Sequence, residues 1–153
     1  MLTYEKRGRN LLLTVKGVEE PFAIPPLPTN PALQATDTYI GVTSGGASAE
    51  DLAKALMMAV DGAVLNTDTN RWEPRPEAER VNYTRAGNEL TQEEAENLLS
   101  AAFFWQTALG LSGVQQFIEA GEGTAGSFQA YVSLVGRVRR LNNRAPDHEL
   151  TGS

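Results

Sequence analysis

The sequence predicts a mostly α-helical single domain of about five helices with a small N-terminal β-hairpin. Three observations lead there. Apolar residues recur at helical spacing in several segments after residue 29. Those segments open on helix-start chemistry, Ser48 with Asp51 and Thr91 with Glu94 among them. Strand-like runs bounded by turn residues are confined to the first 24 residues. A chain of 153 residues, 41% hydrophobic and 21% charged, has the size and composition of one ordinary domain. It divides into a hairpin and proline-rich connector at 1–28, a helical domain at 29–141 with a polar loop at 66–88, and a disordered tail at 142–153.

Residues 11–15 form the first expected strand, Lys16 and Gly17 the turn, and residues 22–24 the second strand after Pro21. A lone hairpin is marginal in water, so this one must lie on an apolar floor. Pro25, Pro26 and Pro28 make a stiff, extended connector, better read as a spacer than as a ligand for a proline-binding domain. Thr29, Asn30 and Pro31 then start a helix, with Leu33, Thr36, Tyr39 and Ile40 on one face, ended by Gly41 and the Ser44–Gly46 turn. Ser48 and Asp51 open the next, which carries Leu52, Leu56 and Met57 to Val60. Residues 66–88 are polar, punctuated by Pro74 and Pro76 and poor in aliphatics, hence the expected loop.

The helix opened by Thr91 is the centre of the chain. Thr91 and Glu94 have capping-box spacing, and Glu93, Glu94 and Glu96 suit the positive end of the helix dipole. Leu98, Ala102, Trp105 and Leu109 form its stripe, so Trp105 is expected in the core. Phe103, Phe104 and Trp105 together span roughly 200° of the helix at about 100° per residue. No single neighbour covers such an arc, so other elements must wrap this helix. Ser112 and Gln115 suggest a capping box for a short helix at 113–120, with Gly121 as its left-handed cap. A last helix at 125–141 should turn Phe128, Val132, Val135 and Val138 inward, joined by Tyr131 and Leu134.

Thirteen basic against 19 acidic side chains give a net charge of −6, which argues against nucleic acid as a partner. There is no cysteine, the polar N-terminal residues lead into no signal-type apolar run, and no segment has the length to cross a bilayer. A protein of the cytoplasm without membrane contact is the expectation. No catalytic residues, cofactor or metal site are expected. Gly121, Gly123 and Gly126 match G-x-G-x-x-G, but a helix precedes them where a dinucleotide site needs a strand. Asp68, Asn70 and Glu79 fall on calcium-loop positions, yet Glu73 replaces the required glycine. The only histidine, His148, lies in the expected tail, so neither a transition-metal site nor a Ser–His–Asp triad has its ligands.

The order of segments resembles the tail assembly chaperones of long-tailed actinobacterial phages. Three stretches carry the likeness. Phe22, Ala23, Ile24, Pro25 and Pro26 sit where that family has a "-Y-x-I-P-P-" strand. Residues 99–106, alanine-containing and ending in Phe104, Trp105 and Gln106, are similar to its aromatic–Trp helix. Residues 114–121 resemble its short "A-x-x-F/Y-x-x-x-G-G" helix. Residues 66–88 depart from the pattern. The resemblance implies a non-enzymatic protein of the host cytoplasm that binds the tape-measure protein, keeps it soluble and is absent from the finished particle. It also implies cooperation with tail-tube subunits and with a longer, frameshifted form of the same chain; a homo-oligomer is a further option. The rival reading is a structural virion component, such as a head–tail connector or tail-terminator subunit.

Trp72, Tyr83 and Phe104 are aromatics that the helical stripes do not account for, which makes them the candidate partner-binding residues. Phe104 with Trp72 would form one apolar patch for a helical segment; the alternative is that Phe104 is the floor beneath the N-terminal hairpin.

Overall fold

The computed structural model describes residues 1–152, and from residue 141 onward the backbone alone. The tail expected at 142–153 therefore lies outside the fully described residues. Six α-helices and two small antiparallel sheets make up the described chain, one helix more than the sequence suggests.

The first sheet has three strands, not two: β1 (Leu2–Arg7), β2 (Asn10–Val15) and β3 (Phe22–Ile24), in that spatial order. β2 and β3 are the two expected strands, paired Leu11 with Ile24 and Leu13 with Phe22. β1 went unread because only Leu2 of it is buried. Alternation puts Leu11, Leu13, Val15, Phe22 and Ile24 on the inner face, none more than 1% exposed. The floor is helical: β2 lies on α4 (Gln92–Gln106), while β3 meets α2 (Ala49–Asp61) and α3 (Val81–Glu89). β1 is a free edge, and Glu5, Lys6 and Arg7 along it discourage pairing with another sheet.

α1 (Thr29–Thr43) runs past Gly41 and packs against α2. The capping box of α2 forms as read, with the Ser48 hydroxyl accepting from Asp51 N–H at 3.1 Å and the Asp51 carboxylate accepting from Ser48 N–H at 3.2 Å. The one opening α4 does too, between Thr91 and Glu94. α4 is wrapped as its aromatics require, touching α2, α3, α5 (Leu111–Glu119), α6 (Gly123–Gly152) and β2. Trp105 is 8% exposed, a core residue as expected.

Residues 66–88 are not a loop. β4 (Ala63–Asn66) and β5 (Arg71–Pro74) form a hairpin, a 3₁₀ turn follows at Glu77–Glu79, and then α3. Side chains set this order. Asn66 Oδ1 accepts from the N–H of Asp68 and of Thr69 to close the turn, and Asn70 takes the left-handed conformation with φ 57°. α3 has no side-chain cap of its own. Asp61, at the end of α2, caps it across space: its two oxygens accept from Asn82 N–H and Tyr83 N–H, each at 2.8 Å. Asn82 then donates through Nδ2 to Ala23 O and Val60 O, tying β3, α2 and α3 together. Asp61→Ala would strand two backbone donors in a buried setting, so we expect a loss of about 2–3 kcal/mol in urea unfolding. Asp61→Asn, which keeps one acceptor, should lose less; equal losses would mean that packing, not capping, is the role.

Two helix starts differ from expectation. α5 begins at Leu111 after Gly110 (φ 58°), and its first turn carries no box: Ser112 instead accepts from Gln116 Nε2. The α5–α6 turn is a glycine cap in which Gly121 N–H donates to Ile118 O and Glu122 N–H to Phe117 O. Along α6 the inward residues are Gly126, Ala130 and Leu134. Phe128 and Val132, expected inside, are 67% and 50% exposed. Leu134 is buried and Tyr131 and Val138 pack against the core, as expected; near the start of α6 the close approach at Gly126 turns the small residues inward and leaves Phe128 and Val132 outside.

Candidate partner-binding surfaces

Phe104 is not part of any surface. It is 0% exposed, with its ring 5.2 Å from Phe103, 5.6 Å from Tyr39 and 6.3 Å from Phe117. Tyr39 of α1 stacks on Phe103 at 4.3 Å, and burial raises its phenol pKa above the ordinary tyrosine value. The aromatic neighbours of Phe104 belong to α1, α4 and α5, and it shares one core with the inner face of the sheet. The next residue, Trp105, has Lys6 Nζ of β1 5.9 Å from its ring centroid.

Trp72 stands on β5, half-buried and directly across from Leu65 of β4, which is 42% exposed. Cross-strand partners share one face of a hairpin, so these two form an aromatic–aliphatic pair. The hairpin is held from α1 by one side chain: Gln34 donates through Nε2 to Trp72 O at 2.7 Å and accepts from Trp72 N–H at 2.9 Å. Its amide thus satisfies the outer edge of β5 as a neighbouring strand would. Between hairpin, α1 and α2 is a cleft of about 230 Å³ lined by Trp72, Thr38, Met58, Asp51, Lys54 and Arg71. Both charge signs meet there, which suits no single class of ion.

Tyr83 is half-buried in the first turn of α3, its backbone fixed by Asp61 and its side chain packed on the core. The three aromatics therefore do not converge: one is core, one is wedged against it, and Trp72 alone joins a partly open apolar pair. The sequence reading missed Leu65, whose position opposite Trp72 appears only once the hairpin is known. It also missed the outward face of α6. Among the described residues no cluster of three His, Asp or Glu side chains is placed to hold a metal ion, and no helix is long and apolar enough to cross a membrane. No protein-family model matches the chain, and no curated protein or solved structure shows significant similarity to it.

Proposed function

We propose that the chain is a tail assembly chaperone of a long-tailed phage. In this reading it binds the tape-measure protein in the host cytoplasm, keeps it soluble while tail-tube subunits assemble, and is left out of the finished particle. A longer frameshifted form would share this domain. The observation that carries the reading is the Trp72–Leu65 pair on a hairpin braced by Gln34. A tape-measure protein is a long helical chain with apolar stripes, and a rigid aromatic–aliphatic ridge suits the apolar face of such a helix. The net charge of −6 would help keep the complex in solution.

Co-expression tests this. The wild-type chain should hold a tape-measure protein in the soluble fraction, and Leu65→Ser combined with Trp72→Ser should lose it. Leu65→Ser alone should change stability by no more than about 1 kcal/mol, as exposed positions do, and still weaken the capture. Undiminished capture by the double variant would remove the hairpin from the interface. Recovery of the chain in purified virions by mass spectrometry would transfer the function to a structural component such as a connector or terminator subunit.

A further inference from the structure

The two sheets have four outer edges, and three of them are closed. β1 carries Glu5, Lys6 and Arg7, and its Leu2 N–H is taken by Glu122 at 3.2 Å. On β3, Ala23 O accepts from Asn82 Nδ2. On β5, the Gln34 amide occupies both backbone groups of Trp72. The fourth edge, β4, has no such device. No charged residue lies between Gly62 and Thr67, Val64 and Leu65 are 37% and 42% exposed, and β4 packs chiefly on β5. Folded proteins normally blunt an edge of this kind with charge, proline or a covering side chain.

The register says which groups this edge presents. Trp72 N–H and C=O point to Gln34, away from β4, so Trp72 and Leu65 are a facing pair that exchanges no hydrogen bonds. Leu65 N–H and C=O therefore point away from β5 as well. Ala63, two residues back, points the same way. Among the described residues none of these four groups has a hydrogen-bond partner. Only an extended chain satisfies them in a row, because it offers N–H and C=O together at alternate residues. A second copy of this chain supplies one. Its β4 has the same two residues at the same spacing and brings no charge to the seam. It is also held extended already, by β5 and Gln34, whereas a disordered segment would first have to be ordered.

We propose that β4 pairs antiparallel with β4 of a second copy, about a twofold axis through Val64, and turns two hairpins into one four-stranded sheet. Ala63 of each copy then exchanges two backbone hydrogen bonds with Leu65 of the other, and Val64 faces Val64. On one face the small Ala63 sits beside the large Leu65; on the other two β-branched side chains meet. A two-stranded sheet is marginal alone and gains from further strands. Two pairs of backbone bonds make a small contact beside the roughly 1,600 Å² of a standard interface, so the dimer is reversible and concentration-dependent. The pairing does not rest on the chaperone reading, although it would join the two Trp72–Leu65 pairs into one apolar strip.

Sedimentation velocity of the full chain, from low micromolar to several hundred micromolar, should show a monomer passing into a dimer. Salt should favour the dimer, because the seam is uncharged and each copy carries −6. Leu65→Pro should stay monomeric with its helical circular dichroism retained, since proline removes an N–H that bonds nothing within the chain. Leu65→Ser keeps that N–H and should still dimerise while it weakens tape-measure capture, so the two readings fail separately. A wild-type monomer over the whole range, a dimer that salt dissolves, or a Leu65→Pro chain that still dimerises would overturn the proposal. So would a Leu65→Ser chain as monomeric as Leu65→Pro, which would place the association on the side chain instead of the ladder. The register is tested by cross-linking, since the chain has no cysteine of its own. Val64→Cys should give a disulfide-linked dimer under mild oxidation, because Cα atoms of such a facing pair lie about 4.5 Å apart. Thr67→Cys should not, because like positions would sit roughly 20 Å apart along the strands. Cross-linking of Thr67→Cys with itself, or none of Val64→Cys, would rule out the twofold register.

Discussion

Phe104→Ala is expected to lower the stability of the domain by about 3–5 kcal/mol, the usual cost of emptying a large aromatic site in a core. The ring is wholly buried among Phe103, Tyr39 and Phe117, so its removal takes contacts from three helices at once. The site collapses poorly. Gly113 of α5 stands against the Phe104 backbone, where an added Cβ would already be 2.9 Å from the carbonyl oxygen, so α5 cannot slide far into the void. A domain of this size has only about 5–15 kcal/mol in hand, and urea midpoints would register the loss plainly. Phe104→Leu should recover a large part of it. Loss of partner capture without loss of stability in Phe104→Ala would contradict the buried position.

The second large effect is at Gly126. A methyl group there would run into the Phe117 carbonyl oxygen and lie 2.9 Å from Phe117 Cδ1. The carbonyl belongs to the last turn of α5 and accepts from Glu122 N–H in the glycine cap, so it cannot move aside without undoing the turn. Alanine is favoured over glycine by about 1 kcal/mol within a helix. Overpacking of this kind costs about 1–3 kcal/mol or more, and contact with backbone places Gly126→Ala at the upper end. We expect a net loss of at least about 2 kcal/mol. Gly87→Ala, on α3 with nothing within 4 Å of the new methyl, is the control and should gain up to about 1 kcal/mol. Equal responses at the two positions would mean that α6 is free to shift on α5.

What could be read from the sequence was what depends on near neighbours. The boxes at Ser48 and Thr91 need residues three apart, and both form. β2 and β3 needed only alternation, and the triplet from Phe103 to Trp105 announced a helix with neighbours on several sides. What escaped depends on distant partners. The stretch after residue 62 is polar by composition, yet Gln34, Asp61 and Asn82 supply hydrogen bonds from or to elements dozens of residues away. Those bonds turn an apparent loop into a hairpin and a helix. On α6, Leu134, Tyr131 and Val138 were legible as inward, but Phe128 and Val132 were misread because hydrophobicity measures the size of a side chain, whereas the closest helix approach rewards its absence. Phe104 was misplaced for a related reason: one stripe was taken as the whole core of a helix that is buried on several sides. Trp72 remained a surface candidate, but its neighbour Leu65 became visible only with the strand register.

Gln106 has a consequence for how the protein comes off the ribosome. This one amide, at the end of α4, accepts from Leu27 N–H and donates to Pro25 O and Ala59 O, gripping the connector and α2 together. Leu2 N–H waits still longer, for Glu122. The strands are therefore made first and housed last. At roughly 5–20 residues per second, Leu11, Leu13, Phe22 and Ile24 are out for several seconds before α4 exists to receive them. During that interval the growing chain is itself a client for whatever holds nascent apolar strands apart. A fragment ending before Gln106 should be recovered in aggregates, however well α2 is capped.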